Sequence, residues 1–177
     1  MKFFTRDRYL ALQNPHEDAM DAADADWEAA VNAYDAQLRL IRPAMPPTVR
    51  QLLDGLYLHD ARVLSMGQCG ETFTITLQLD VPPNDLLTIA YSLAGQPQVI
   101  KEAFPWVHNA DIAKWLYDEM ELNENGNGKQ YIHAILLSNG WEINLPLKDV
   151  QLTTAVPILP AQATKTNRSV LPAVKSA

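Results

Sequence analysis

The spacing of hydrophobic positions changes once along the chain, near Gly55. From Glu17 to Arg42, Met20, Ala23, Trp27, Val31, Tyr34, Leu38 and Ile41 recur at intervals of three and four. This is the repeat of a long helix with one apolar face. Acidic residues crowd its first half (Glu17, Asp18, Asp21, Asp24, Asp26, Glu28), and Arg39 and Arg42 close the second, both favourable for the helix dipole. Pro43 ends it. Before it, Thr5 is placed to cap a short helix through Leu12, with Tyr9 and Leu12 on one side, and Asn14-Pro15 breaks that helix. A third helix, from about Pro47 to Asp54, opens on proline and stops at Gly55.

Beyond Gly55 the period becomes two. In Gly70–Asp80, Phe73, Ile75, Leu77 and Leu79 alternate with Thr72, Thr74, Thr76 and Gln78, which predicts a half-buried strand. It pairs naturally with Ala61–Met66 across a turn at Gly67-Gln68-Cys69-Gly70. After a break at Val81–Asp85, Leu86–Leu93 alternates again, and Gly95-Gln96-Pro97 turns the chain toward Gln98–Phe104. Residues 109–122 fit two templates: a helix capped by Asn109 that carries Ile112, Trp115, Leu116 and Glu119, or a strand. Asn123–Gly128 reads as a turn, Lys129–Leu137 as a strand, Asn139-Gly140 as a two-residue hairpin, and Trp141–Leu147 as the return strand. From Thr153 the chain is small, polar and interrupted by Pro157, Pro160 and Pro172. The expected architecture is α+β: helices over 1–55, a curled antiparallel sheet or partial barrel over 56–152, and an extended arm over 153–177.

Composition narrows the function. The single cysteine, Cys69, rules out an internal disulfide and points to a reducing, cytoplasmic setting. The start, Met1–Tyr9, has no apolar stretch behind its basic residues, and no apolar run approaches the ~18 residues of a membrane span, so neither a signal peptide nor a membrane segment is expected. Net charge is −7, and the last 25 residues carry three basic and no acidic side chains. An acidic body repels phosphate backbones, so nucleic acid is not an expected partner.

Three stretches, MKFFTRDRYLALQ, LLDGLYLHDARV and WLYDEMEL with YIHAILLSNGWEINLPLKDV, together resemble the bacterial family called domain of unknown function 4085. The resemblance spans most of residues 1–152. It implies that WLYDEMEL is a strand, and it supplies no catalytic residues.

Motifs for chemistry are sparse. Asn123–Gln130 imitates a phosphate-binding loop but lacks its first glycine and its final Ser or Thr; read as a calcium loop, it has Ala134 where a bidentate acid belongs. Asp24, Asp26, Glu28 and Asp35 also have calcium-loop spacing, with Ala29 in place of the required glycine, and read better as a solvated helix face. Cys69 has no visible activating histidine. The best chemical candidates are His59 and Asp60 at the entry to the sheet, Glu119 in WLYDEMEL, and His133 in the following strand. If those two strands pair, Glu119 or Asp118 can approach His133, and histidine with carboxylate can hold a divalent metal. The bland account is a hinge at His59-Asp60 and a hydrogen-bonded network around His133. Two functions follow: a non-enzymatic protein-binding module, of which a toxin-neutralising immunity protein is one form, or a metal-binding protein or metal-dependent hydrolase. The arm could also join a neighbouring copy's sheet.

Overall fold

A computed structural model describes residues 1–82, 84–107, 112–125 and 128–156. Among these residues, three helices precede seven strands. α1 spans Arg6–Ala11, α2 Glu17–Ile41 and α3 Pro47–Gly55, with a 3-10 turn at Arg42–Ala44. The strands are β1 Arg62–Cys69, β2 Thr72–Gln78, β3 Leu86–Leu93, β4 Gln98–Ile100, β5 Trp115–Asn125, β6 Gly128–Leu137 and β7 Glu142–Ala155. All pair antiparallel in the order β1-β2-β3-β7-β6-β5, and β4 takes up the side of β7 that β3 vacates. This is the expected curled sheet behind N-terminal helices. No helix among the described residues is long and apolar enough to cross a membrane.

The helix signals act as the sequence suggests. The Thr5 side chain accepts from the Arg8 amide and caps α1. α2 needs no side-chain cap: Glu17 and Asp18 occupy its first turn beside the unpaired amides. Its buried side differs in detail from the predicted stripe, because Met20 is exposed, while Ala30 is buried in a cluster with Phe3, Phe4 and Tyr34.

Two turns differ from expectation. β1 continues through Gly67, Gln68 and Cys69, and the turn is Gly70-Glu71, with Gly70 at φ +58° and Cys69 paired to Thr72. A two-residue hairpin needs left-handed backbone, which Gly70 supplies. In the β6–β7 hairpin, Ser138, Asn139 and Gly140 form the loop closed by Leu137 and Trp141. The Gly140 amide donates to Leu137 and the Leu137 amide to Trp141, with Gly140 at φ +86°. This is a type I turn followed by a glycine bulge. β5 and β6 pair through Asn125↔Gly128, while Gly126 and Asn127 of the expected turn lie outside the described residues. β7 also runs past the expected boundary, since Thr153, Thr154 and Ala155 pair with β3; residues 157–177 of the arm lie outside the described residues. Pro146 is tolerated inside β7 because it faces the gap between β3 and β4, where no ladder needs its missing N–H and Ala94 takes its carbonyl.

The concave face of the sheet holds the main core. Phe73, Ile75 and Leu77 of β2 meet Leu87 and Ile89 of β3, Ile135 and Leu137 of β6, and Ile143 and Leu145 of β7. Met45, Val49 and Leu52 from α3 and the preceding turn fill the hollow. The curl brings the two sheet edges together at one end. Asp60 donates to Trp115, Trp115 to Ala61 and Val63 to Ala113, at 2.8–2.9 Å. α2 covers the convex side of β5, where the Tyr34 hydroxyl accepts the Met120 amide at 2.9 Å.

A Cβ at Gly140 would fall 2.5 Å from the Glu102 carbonyl oxygen and 2.7 Å from the Phe104 nitrogen, on a left-handed backbone. Gly140→Ala should therefore cost about 3 kcal/mol in urea unfolding, while Gly67→Ala, with open space around it, should change stability by under ~0.5 kcal/mol.

Candidate functional site

The four residues singled out from sequence lie in three separate environments. His133 points into the barrel from β6. Its Nε2–H donates to Asp118 Oδ2 at 2.9 Å, and its Nδ1 shares a hydrogen bond with the Tyr91 hydroxyl at 3.0 Å. Trp115 Nε1–H donates to the other Asp118 oxygen at 2.8 Å. The register Met120↔His133 places Asp118 on this face, and a bulge between Trp115 and Tyr117 lets Trp115 share it. Because of that bulge, Leu116 faces outward with Phe104 and Leu136, although it stands two residues before Asp118. Burial alone would push the Asp118 carboxyl up. The hydrogen bond and charge of His133, with the Trp115 bond, outweigh it and hold Asp118 below its ordinary value. Burial pushes the Tyr91 phenol well up, so it stays protonated. The chain Tyr91–His133–Asp118–Trp115 satisfies every member, and His133, Tyr91 and Trp115 are fully buried. It resembles a relay in composition, but its occupied partners fit a network that fixes the core.

Glu119 points the other way. Its buried carboxylate accepts from the backbone amides of Lys2, Phe3 and Phe4, the last two at 2.8 and 3.0 Å. This pins the N-terminal segment and seats Phe3 and Phe4 against α2. Neighbouring Glu121 is half-buried, and burial followed by the proximity of Glu119 raises its pKa.

His59 and Asp60 form the entry corner to β1. His59 Nδ1–H donates to the Leu116 carbonyl at 2.6 Å, which takes an outward-facing group of β5. Asp60 sits at φ +64°, donates its amide to Trp115 and lies 3.4 Å from Lys114 Nζ. Its carboxylate is 3.6 Å from His59 Nε2. The hinge reading of this pair describes its geometry. Thus Asp118 and His133 meet, His59 and Asp60 meet, and Glu119 serves the N-terminal segment. No group of three or more His, Cys, Asp or Glu side chains among the described residues is arranged to hold a metal.

A surface that sequence reading missed surrounds His59. Its ring lies 5.2 Å from Tyr117 and 6.3 Å from Tyr57; Tyr117 lies 4.6 Å from Trp27 and 6.1 Å from Tyr9; Tyr9 lies 6.4 Å from Trp106. These rings form one connected strip across the convex side. Tyr57 is 61% exposed and Trp106 44%, and the others are partly exposed. Burial, then Asp60, raises the Tyr9 phenol; burial, then Tyr9, Asp60 and Tyr57, raises Tyr117. The rings come from α1, α2, the α3–β1 corner, the β4–β5 connection and β5. No periodic signal links such distant segments. Tyr57, two residues before His59, was the accessible clue. No family model matches the chain, and no characterised protein matches it in sequence.

His133→Ala would leave Asp118 and Tyr91 without their partner and should cost about 3–5 kcal/mol in denaturant unfolding. The pH dependence of stability separates the two acids. The folded pKa of Asp118 lies below its ordinary 3.8, so its contribution is present above that value and lost as pH falls through the folded pKa. Asp118→Asn should flatten the acid limb of the stability profile. The folded pKa of Glu121 lies above its ordinary 4.5, so its contribution is present below that value and lost as pH rises through the folded pKa. Glu121→Gln should be more stable than the parent at about pH 7 and equal to it near pH 3, measured by urea midpoints.

Proposed function

We propose that this protein is a non-enzymatic protein-binding module whose contact surface is the aromatic strip around His59 and Tyr117. The observation that carries the reading is the concentration of Tyr57, Trp106, His59, Tyr117, Tyr9 and Trp27 into one partly exposed strip. Tyrosine and tryptophan supply large contact areas with few rotatable bonds and dominate binding hot spots. Their backing is rigid: Tyr117 stands on β5, and Trp27 on α2. Beside the strip, the exposed acidic turns of α2 carry Glu17, Asp18, Asp21, Asp24 and Glu28. Charge complementarity therefore favours a basic protein partner. A toxin-neutralising immunity protein is one form this module takes. A metal-dependent reaction is less well supported, because His59 Nδ1, the Glu119 carboxylate and both ring nitrogens of His133 are engaged in different places.

The test is affinity capture from native lysate with the full chain and with a Tyr57→Ala/Trp106→Ala double variant. Both rings are exposed, so the variant should keep the parent's melting temperature. The parent should capture a basic protein, more weakly at high salt, and the variant should lose at least ~30-fold in affinity for it, about 2 kcal/mol. Equal capture by both proteins would remove the strip from the contact surface.

A further inference from the structure

Arg62 and Lys114 stand opposite one another where the two edges of the sheet meet. The bonds from Trp115 to Ala61 and from Val63 to Ala113, at 2.9 and 2.8 Å, flank the pair, so Arg62 and Lys114 share no backbone bond. Opposed residues of that kind carry their side chains closest together, on one face. Two like charges so placed repel each other. The Arg62 guanidinium has no ion-pair or hydrogen-bond partner among the described residues. Lys114 Nζ lies 3.4 Å from Asp60, but both side chains are more than two-fifths exposed, where such a pair contributes little.

The pair lines a cleft of about 740 Å³ together with Ser138 and Asn139. Small-molecule pockets span about 300–1,000 Å³. Ser138 Oγ already accepts from the Lys114 amide at 2.8 Å, and Asn139 Oδ1 from the Trp141 amide at 3.0 Å. What each side chain has left to offer is chiefly a donor: the Ser138 hydroxyl proton and the Asn139 Nδ2–H groups, unbonded among the described residues. Ser138 is further fixed by its own amide, which donates to the Lys114 carbonyl at 2.8 Å. Four donor groups, two of them charged, therefore share one cleft. Apolar surface lies beside them in Trp106 and Ile112, which are 44% and 46% exposed. Trp106 stacks on the buried Phe104 at a centroid distance of 5.0 Å, with ring planes 13° apart, so the indole is positioned in advance.

We infer that this cleft binds a small organic anion, a carboxylate or phosphate monoester carried on a flat apolar body. Arg62 offers a planar fork that matches two oxygens at once, and Lys114 adds a point charge. Ser138 and Asn139 donate to the same oxyanion, while Trp106 and Ile112 cover the body. A neutral or cationic ligand would leave Arg62 and Lys114 opposed without a counter-charge between them. Asp80 is the one acid in the lining among the described residues. It repels an anion and so limits the affinity. The inference does not rest on the protein-binding reading: the cleft shares Trp106 with the aromatic strip, but its cations and Ser138 lie outside that strip.

NMR titration of the isotope-labelled full chain tests this, read at the Trp106 indole N–H and at the backbone amides of Ser138 and Asn139. The probes are phenyl phosphate, benzoate, neutral benzamide and inorganic phosphate. At least one aryl anion should bind with a dissociation constant of about 1 mM or tighter, and benzamide and inorganic phosphate at least ~10-fold more weakly. Whichever aryl anion binds more tightly identifies the head group as phosphate or carboxylate. Arg62→Gln/Lys114→Gln changes only exposed side chains, so it should keep the parent's melting temperature and weaken the aryl anion at least ~10-fold. Asp80→Asn should tighten it by about 3-fold. No shift at the three reporters with either aryl anion up to about 10 mM overturns the proposal. So does equal binding by the parent and the double variant. Inorganic phosphate binding as tightly as phenyl phosphate overturns the organic body. Because these variants keep Tyr57 and Trp106, anion binding and protein capture are lost or retained independently.

Discussion

A strand at the end of a sheet carries one row of backbone N–H and C=O groups that no neighbouring strand takes up. β5 is such a strand, and Trp115, Leu116, Glu119 and Met120 bury parts of both its faces. Side chains and loops take up several of its outward groups. Asp60 and Ala61 pair with Trp115, His59 caps the Leu116 carbonyl, and Tyr34 caps the Met120 amide. Each contact fixes another element. The corner at His59 closes the curl of the sheet, and Tyr34 sets α2 along β5.

The two faces of β5 then take different tasks. Inward, Asp118 and His133 exchange a charge-assisted hydrogen bond inside a shell of aromatic and aliphatic side chains, which orients Tyr91 and Trp115. Removing one partner of such a pair costs far more than the pair contributes, so it fixes one arrangement of the core. Outward, Glu119 holds the N-terminal segment, and Tyr117 anchors the aromatic strip. The surface proposed for partner binding is thus built on a strand immobilised from behind, which limits the ordering cost of association.

Much of this was legible in the sequence. The helical repeat of α2 and the alternation of β2 and β3 survive almost unchanged, because each has one clearly buried side. The pairing of a β5 carboxylate with His133 was also foreseeable, and Asp118 fills that role. What could not be read depends on single-residue irregularities. The bulge at Leu116 reverses the face of one residue, and register in a strand is sensitive to such a step. The hairpin at Gly140 gains one residue for the same reason. Glu119 looked like a ligand because only the folded chain brings the amides of Lys2, Phe3 and Phe4 to it. The aromatic strip is assembled from five segments far apart in sequence, and nothing local announces it.

The central claim is that β5 is a sealed edge, with its outward groups held as firmly as the core. Native-state hydrogen exchange at the amides of Val63, Trp115 and Met120 tests it directly. These amides bond to Ala113, to Ala61 and to the Tyr34 hydroxyl. They should open only with global unfolding and show the same opening free energy as the core amide of Ile135. Exchange of Met120 and Trp115 at the rates of exposed loop amides would show that the helix and the corner at His59 do not hold the strand, and would contradict the account.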